Sequence, residues 1–272
     1  MQNMNLPTRY WHEMTTTDFA DPQVSDWIAI LPVAAIEQHG PHLPVYTDTA
    51  IAEGQIRRTI ELLPDDIPAT FLPVQAVGKS NEHISSPGTL TLSWETGIKA
   101  WSEIGESVAR AGIRKLVIVN SHGGNVPLID TITRELRVNL GMLAVGTAWA
   151  RFGQPNGLFS EHERSFGIHG GDIETSIMLH LHPDLVRMDK AKNFRSTQEK
   201  LVEDFKYLRA HGQQQFGWKS QDLNPAGAVG DASNATAEKG RQSLDHAADG
   251  FVDLLKDIHA FDMSRLWQAP DT

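Results

Sequence analysis

The chain has 272 residues, 40% of them hydrophobic and 21% charged, a balance that excludes a disordered polypeptide and supplies side chains for a sizeable core. A formal net charge of −10 argues against a binder of nucleic-acid phosphates, and no run approaches the ~20 apolar residues of a membrane helix. With no cysteine, disulfides, thiolate zinc sites, iron–sulfur clusters and thiol nucleophiles are excluded together, which leaves histidines and carboxylates as metal ligands.

In chain order, the patterning predicts a strand over 27–33 (WIAILPV), a helix over 49–63, a strand over 70–77 and a helix over 94–111. A strand over 113–119 (IRKLVIV), a helix over 126–140, a strand over 142–147 and helices over 173–182, 198–210 and 240–258 follow. The opening MQNMNLPTRYWHEM lacks the charged and apolar regions of a secretory signal, so a soluble, cytoplasmic protein is expected. There is no repeat and no low-complexity linker, and residues 1–272 read as a single domain. Strands that are apolar throughout and separated by helices predict an α/β fold, layered α/β/α, with a mostly parallel central sheet.

Ligands of such sheets bind beyond the carboxyl ends of the strands. Two polar clusters follow predicted strands there: AAIEQHGPHLPVYTDTA, and NSHGGNVP ahead of the third helix. Half of the twelve histidines, namely His39, His42, His83, His122, His162 and His169, lie in Gly- and Pro-punctuated loops. In extended backbone, Glu37 and His39 point to the same side and can offer a carboxylate and an imidazole to one small volume, which Asp48 can close. Taken alone, Asp48 reads as a helix cap sooner than as a ligand. His122 sits where Gly123 and Gly124 allow close approach of a ligand, although an ordinary turn with a solvent-facing histidine has the same sequence. Glu174 opens an apolar helix, where an acid also complements the helix dipole. His169 precedes that helix, and its near-neutral pKa suits a proton shuttle.

Several alternatives fail on spacing. GxGxxG, the Walker lysine and GxSxG are absent, and His162-Glu163 begins an HExxH pattern whose second histidine is replaced by Phe166. His180 and His182 are two apart in a helix and cannot share a face. Trp149, just past a strand end, is the tryptophan expected beside a substrate.

Taken together, PVAAIEQHGPHLPVYTDT, SPGTLTLS, NSHGGN, HGGDIETS and GAVGDASNATAEKG resemble the creatininase (creatinine amidohydrolase) family over nearly the whole chain. The resemblance implies a creatininase-like fold, usually a homohexamer, that binds two divalent metal ions (Zn, Mn or Fe) and hydrolyses cyclic or linear amides with a metal-bridged hydroxide. It implies Glu37, His39, Asp48, His122 and Glu174 as metal ligands, with Asp48 bridging. His169 is implied as the catalytic histidine, with Glu174 beside it, and Glu82-His83 as a loop reaching the substrate or a neighbouring subunit. In creatininase a glutamate ligand stands two residues after the NSHGGN histidine; here that position is Gly124, so Glu174 is expected to supply the carboxylate. No tryptophan occurs in the segment 163–168, where creatininase has one ahead of its catalytic histidine.

The expected activity is therefore hydrolysis of a non-peptide or cyclic amide C–N bond in a small-molecule substrate. Formamide deformylation and short-peptide hydrolysis, both found in the family, are the alternatives. An isomerase or lyase using the same Lewis-acid site, and a non-catalytic metal-stabilised oligomer, are readings of a different class.

Overall fold

A computed structural model describes residues 6–267. The central sheet has four parallel strands, β1 (Ile28–Val33), β2 (Ala69–Phe71), β3 (Lys115–Asn120) and β4 (Leu143–Ala148), in the order β2-β1-β3-β4. Side chains alternate across each strand, so both faces of this sheet need cover. Ala29, Leu31 and Val33 of β1 with Leu116 and Ile118 of β3 face α2 (Trp94–Arg110) and α3 (Val126–Leu140), burying Trp101, Val108, Ile132 and Leu136. Ile28, Ile30, Val117 and Val119 point the other way, onto Ile56 of α1 (Thr47–Leu62) and Phe251 and Leu255 of α8 (Ala237–Ala260).

The remaining elements are α4 (Glu161–Phe166), α5 (Asp172–Leu181), β5 (Asn193–Phe194), α6 (Gln198–Asp204), α7 (Ser220–Leu223) and β6 (Gly230–Asp231), with β5 and β6 antiparallel. Helix α5 packs on α1 and α8 through Ile177, Met178, Ile51 and Leu244. Gly240 makes the close approach of α8 to α5 possible, because a Cβ there would stand 1.9 Å from the Ser176 carbonyl oxygen.

Most predicted elements are present, with two differences. The predicted strand over 70–77 is continuous only as Ala69–Phe71; Pro73, which has no N–H, interrupts the ladder, and pairing resumes as a single bridge between Gln75 and Val33. The predicted helix over 198–210 ends at Asp204: Phe205 is extended, and Arg209 folds back to donate to the Leu201 and Phe205 carbonyls. The short elements α4, β5, α7 and β6 have too few residues for a periodic signal.

Strand order reverses between β1 and β3, one leading outward to β2 and the other to β4. The crevice at the carboxyl ends of these strands is the switch point at which open α/β sheets bind ligands. The register Val33↔Asn120 ends both strands level, so the segments carrying Glu37 and His122 leave the sheet side by side.

Candidate metal centre

Each side of the crevice is tied down locally. After β3, Asn120 Oδ1 accepts from the His122 backbone N–H at 3.0 Å. Asn125 then stitches the loops together: its Nδ2 donates to the Ala34 carbonyl at 3.0 Å and its Oδ1 accepts from Lys79 N at 2.8 Å. Asp48 and Glu174 stand in the first turns of α1 and α5, where the helix dipole favours a carboxylate.

These elements bring all five expected ligands together. Three groups have ligand atoms within 4.8 Å of one another: Glu37, Asp48 and His122; His39, Asp48 and Glu174; and Glu37, His39 and His169. Asp48 is shared between the first two. Its Oδ2 lies 3.5 Å from His122 Nδ1 and its Oδ1 lies 3.7 Å from His39 Nε2, while Glu174 Oε2 is 3.8 Å from the same His39 nitrogen. Glu37 sends Oε2 toward His122 Nδ1 at 3.2 Å and Oε1 toward His83 Nε2 at 3.2 Å and His169 Nδ1 at 3.6 Å.

Backbone carbonyls set the histidine tautomers. The carbonyls of Glu37, Lys79 and Gln38 accept from His39 Nδ1 at 3.0 Å, His122 Nε2 at 3.0 Å and His169 Nε2 at 2.6 Å respectively. A carbonyl only accepts, so each outer nitrogen carries a proton, which leaves the inner nitrogen, facing the carboxylates, as the one that can offer a lone pair to a metal ion once it holds no proton, as in metal-ligating histidines. Gln38 Nε2 uses its two hydrogens on the Gly227 carbonyl at 2.9 Å and on His83 Nδ1 at 2.7 Å. His83 is therefore protonated on Nε2, facing Glu37.

The electrostatics are those of a buried charge cluster. Burial alone would raise the Glu37 carboxyl, but His122, His169 and His83 outweigh it and hold the group below the ordinary carboxylate range. Burial together with the neighbouring Asp48 charge pushes Glu174 up to about 7. Burial would lower His39, yet Asp48, Glu174 and Glu37 raise it to about 9. His169 is held well below its usual value, by burial and by the neighbouring His39 and His83.

The cluster fits divalent cations on its own chemistry. Both Glu37 oxygens, His39 Nε2 and Asp48 Oδ2 are buried without an aligned hydrogen-bond partner, a costly arrangement for polar atoms unless a cation completes it. Imidazole and carboxylate donors suit zinc, manganese or iron.

Two cavities reach these residues. One of about 1090 Å³ is bordered by Glu82, His83, His122 and His169 on the inside and by Phe216, Trp218 and Lys219 outside. The other, about 320 Å³, touches His122 and Glu174 and is walled by Trp149, whose ring also packs edge-on against Phe251 at 4.7 Å.

A family model for creatinine amidohydrolase (Creatininase) matches residues 12–255. The chain belongs to the creatininase family. A mycofactocin precursor peptide peptidase from Mycobacterium ulcerans is 32% identical to this creatininase-family chain over 234 residues, covering 84% of each. A creatinine amidohydrolase from Pseudomonas putida is 29% identical, over 90% of this chain and 95% of that one. A solved manganese form of creatininase superposes with a TM-score of 0.72 at 27% identity, covering 92% of this chain and 98% of that one. The layered fold with its parallel sheet is thus the creatininase fold, and the chain is a hydrolase of amide C–N bonds by family.

Four of the six loop histidines converge on the centre of this creatininase-family protein, and two do not. His42 is buried behind it, with Nε2 3.0 Å from Thr175 Oγ1, and His162, which lies in helix α4 and not in the expected loop, is exposed beside Glu199. The expected substrate-side pair divides: His83 faces Glu37, while Glu82 Oε1 lies 3.3 Å from His122 Nε2. The segment Gly227–Gly240 also reaches the site, since Val229 and His169 exchange backbone hydrogen bonds. Sequence reasoning missed Gln38, which lies inside the EQHG segment but acts through contacts distant in the chain. It also missed Glu163, a buried carboxylate accepting from the backbone N–H groups of Asp172 and Asp231. The glycines packed against it, Gly167, Gly171 and Gly230, are the signal that was available.

Proposed function

We propose that the protein is a dinuclear-metal amidohydrolase whose ions are held by Glu37, Asp48 and His122 on one side and by His39, Asp48 and Glu174 on the other. The observation that carries this reading is Asp48, whose two oxygens face two different ligand groups. When bound, the ions supply an activated water and a Lewis acid that polarises an amide carbonyl.

The chain's own residues supply the proton path. His169 presents a bare Nδ1 to the cluster and anchors Nε2–H on the Gln38 carbonyl, so it can only take a proton at Nδ1. His169 takes it from the attacking water and returns it to the nitrogen of the departing amine, while the C–N bond breaks and a carboxylate forms. Gln38 orients His83, and His83 Nε2–H steadies the Glu37 carboxylate. Trp149 gives the smaller cavity an apolar wall for the substrate.

A small cyclic or non-peptide amide is the first substrate class, supported by the family match. A short peptide is the second, which the 1090 Å³ cavity and the relation to the mycofactocin precursor peptidase favour. We also place the enzyme in the cytoplasm as a homohexamer, on family resemblance. The deciding experiment measures metal content and then products: creatinine, formamides and short peptides are offered to the metal-loaded protein, and release of amine and carboxylate is followed by mass spectrometry. Hydrolysis adds the mass of water, whereas an unchanged product mass refutes the assignment in favour of isomerisation.

A further inference from the structure

His122 offers its two nitrogens to different neighbourhoods. Nδ1 faces Glu37 and Asp48. Nε2, on the opposite side of the ring, lies 3.0 Å from the Lys79 carbonyl, 3.3 Å from Glu82 Oε1 and 3.4 Å from Ser80 Oγ. Glu82 belongs to none of the three candidate ligand groups, because its oxygen addresses the nitrogen turned away from them. Its side chain is only 16% exposed, and it projects from a short turn, Asn81–His83, that the hydrogen bond between His83 and Gln38 anchors.

Gly124 completes this arrangement. A Cβ built at that position would stand 2.3 Å from the Lys79 carbonyl oxygen, 2.4 Å from Glu82 Oε1 and 2.5 Å from His122 Nε2. Any side chain there would occupy the point at which these three atoms meet. Gly124 does not adopt a positive φ, so the demand on it is for room and not for backbone conformation.

We propose that Glu82 is a positioning residue for the metal centre: its carboxylate, 3.3 Å from His122 Nε2, reinforces the hydrogen bond that this nitrogen donates to the Lys79 carbonyl and so keeps Nδ1 aimed at Glu37 and Asp48, and the missing side chain at Gly124 is what admits it. A carboxylate on the outer nitrogen fixes the ring and raises the basicity of the inner one, which strengthens a metal bond. Position 124 and Glu82 thus form one unit, in which the glycine gives up a side chain and a carboxylate from a separate loop fills the space. The inference rests on the reading of Glu37, Asp48 and His122 as metal ligands.

The test is the zinc affinity of the full-length protein, by chelator competition, in wild type, Glu82→Gln, Gly124→Ala and Glu37→Ala, together with the visible spectra of the cobalt(II)-loaded forms. Glu82→Gln keeps the shape and removes the charge; its zinc dissociation constant is expected to rise about tenfold and its cobalt spectrum to shift, with the melting temperature of the metal-free protein unchanged. Gly124→Ala, which forces a methyl group into the same point, is expected to weaken zinc although Glu82 is retained. Wild-type zinc affinity and an unshifted cobalt spectrum in Glu82→Gln overturn the proposal, as does weakened binding matched by an equal loss of metal-free stability. If Glu37→Ala binds zinc as the wild type does, the metal-centre reading itself fails and the proposal falls with it.

Discussion

The carbonyl of Gln38 accepts a hydrogen bond from His169 Nε2 at 2.6 Å, and this contact turns the other ring nitrogen, bare, toward Glu37. The tautomer makes His169 a base at rest. It also places His169 in a third ligand-like group with Glu37 and His39, so its role is open to a direct measurement.

A His169→Ala variant is expected to keep its metal content and lose turnover by roughly 10²–10⁴-fold, the usual contribution of a positioned acid–base group. Elemental analysis beside the rate separates the two roles. Loss of metal in step with activity would make His169 a ligand.

The sharing of Asp48 predicts an unequal pattern of metal loss. Wild type should hold about two ions per chain; Asp48→Ala should lose nearly all of them, and Glu174→Gln about half. Equal losses in the two variants would contradict a bridging Asp48.

Metal binding should strengthen with pH. In the metal-free protein His39 titrates near 9, because Asp48, Glu174 and Glu37 outweigh the effect of burial, and His122 is raised well above its ordinary value by Glu37, Glu82 and Asp48 against the same effect. Ions must displace those protons, so calorimetry in buffers of different ionisation enthalpy should show proton release at neutral pH. The sign for stability is the reverse. A histidine raised on folding stabilises the metal-free protein below its unfolded pKa, and that contribution is lost as pH climbs through about 9. Melting temperatures of metal-free and zinc-loaded protein should therefore diverge as pH rises from the unfolded value.

At the opposite end of the sheet, Lys115 Nζ donates to the Ile258 and His259 carbonyls at 2.8 and 2.9 Å, closing the last turn of α8. Lys115→Met keeps the apolar stem and leaves both carbonyls without that donor. A loss of about 2 kcal/mol is expected, read from urea unfolding as a lower midpoint with unchanged slope.

Much of the centre was legible because its chemistry is local. Glu37 and His39 are two residues apart, Asp48 follows in the first turn of α1, and His122 lies two residues beyond a strand that is buried throughout. The layered fold was legible for the same reason, since β1 and β3 carry residues that need cover on both faces. The similar Gly- and Pro-punctuated sequence around His42, His162 and His83 could not separate one histidine behind the site, one in an exposed helix and one against Glu37.

By itself, the sequence determined the residue types, their periodicities and the turns at which they leave the sheet, because these follow from backbone geometry over a few residues. Only the tertiary structure decided that β1 and β3 are neighbours in register. That adjacency sets Asp48 between two ligand groups, joins His83 to His169 through Gln38, and lays Glu82 over Gly124. Each of those contacts spans dozens of residues, and each depends on strand order and helix packing that the whole core selects.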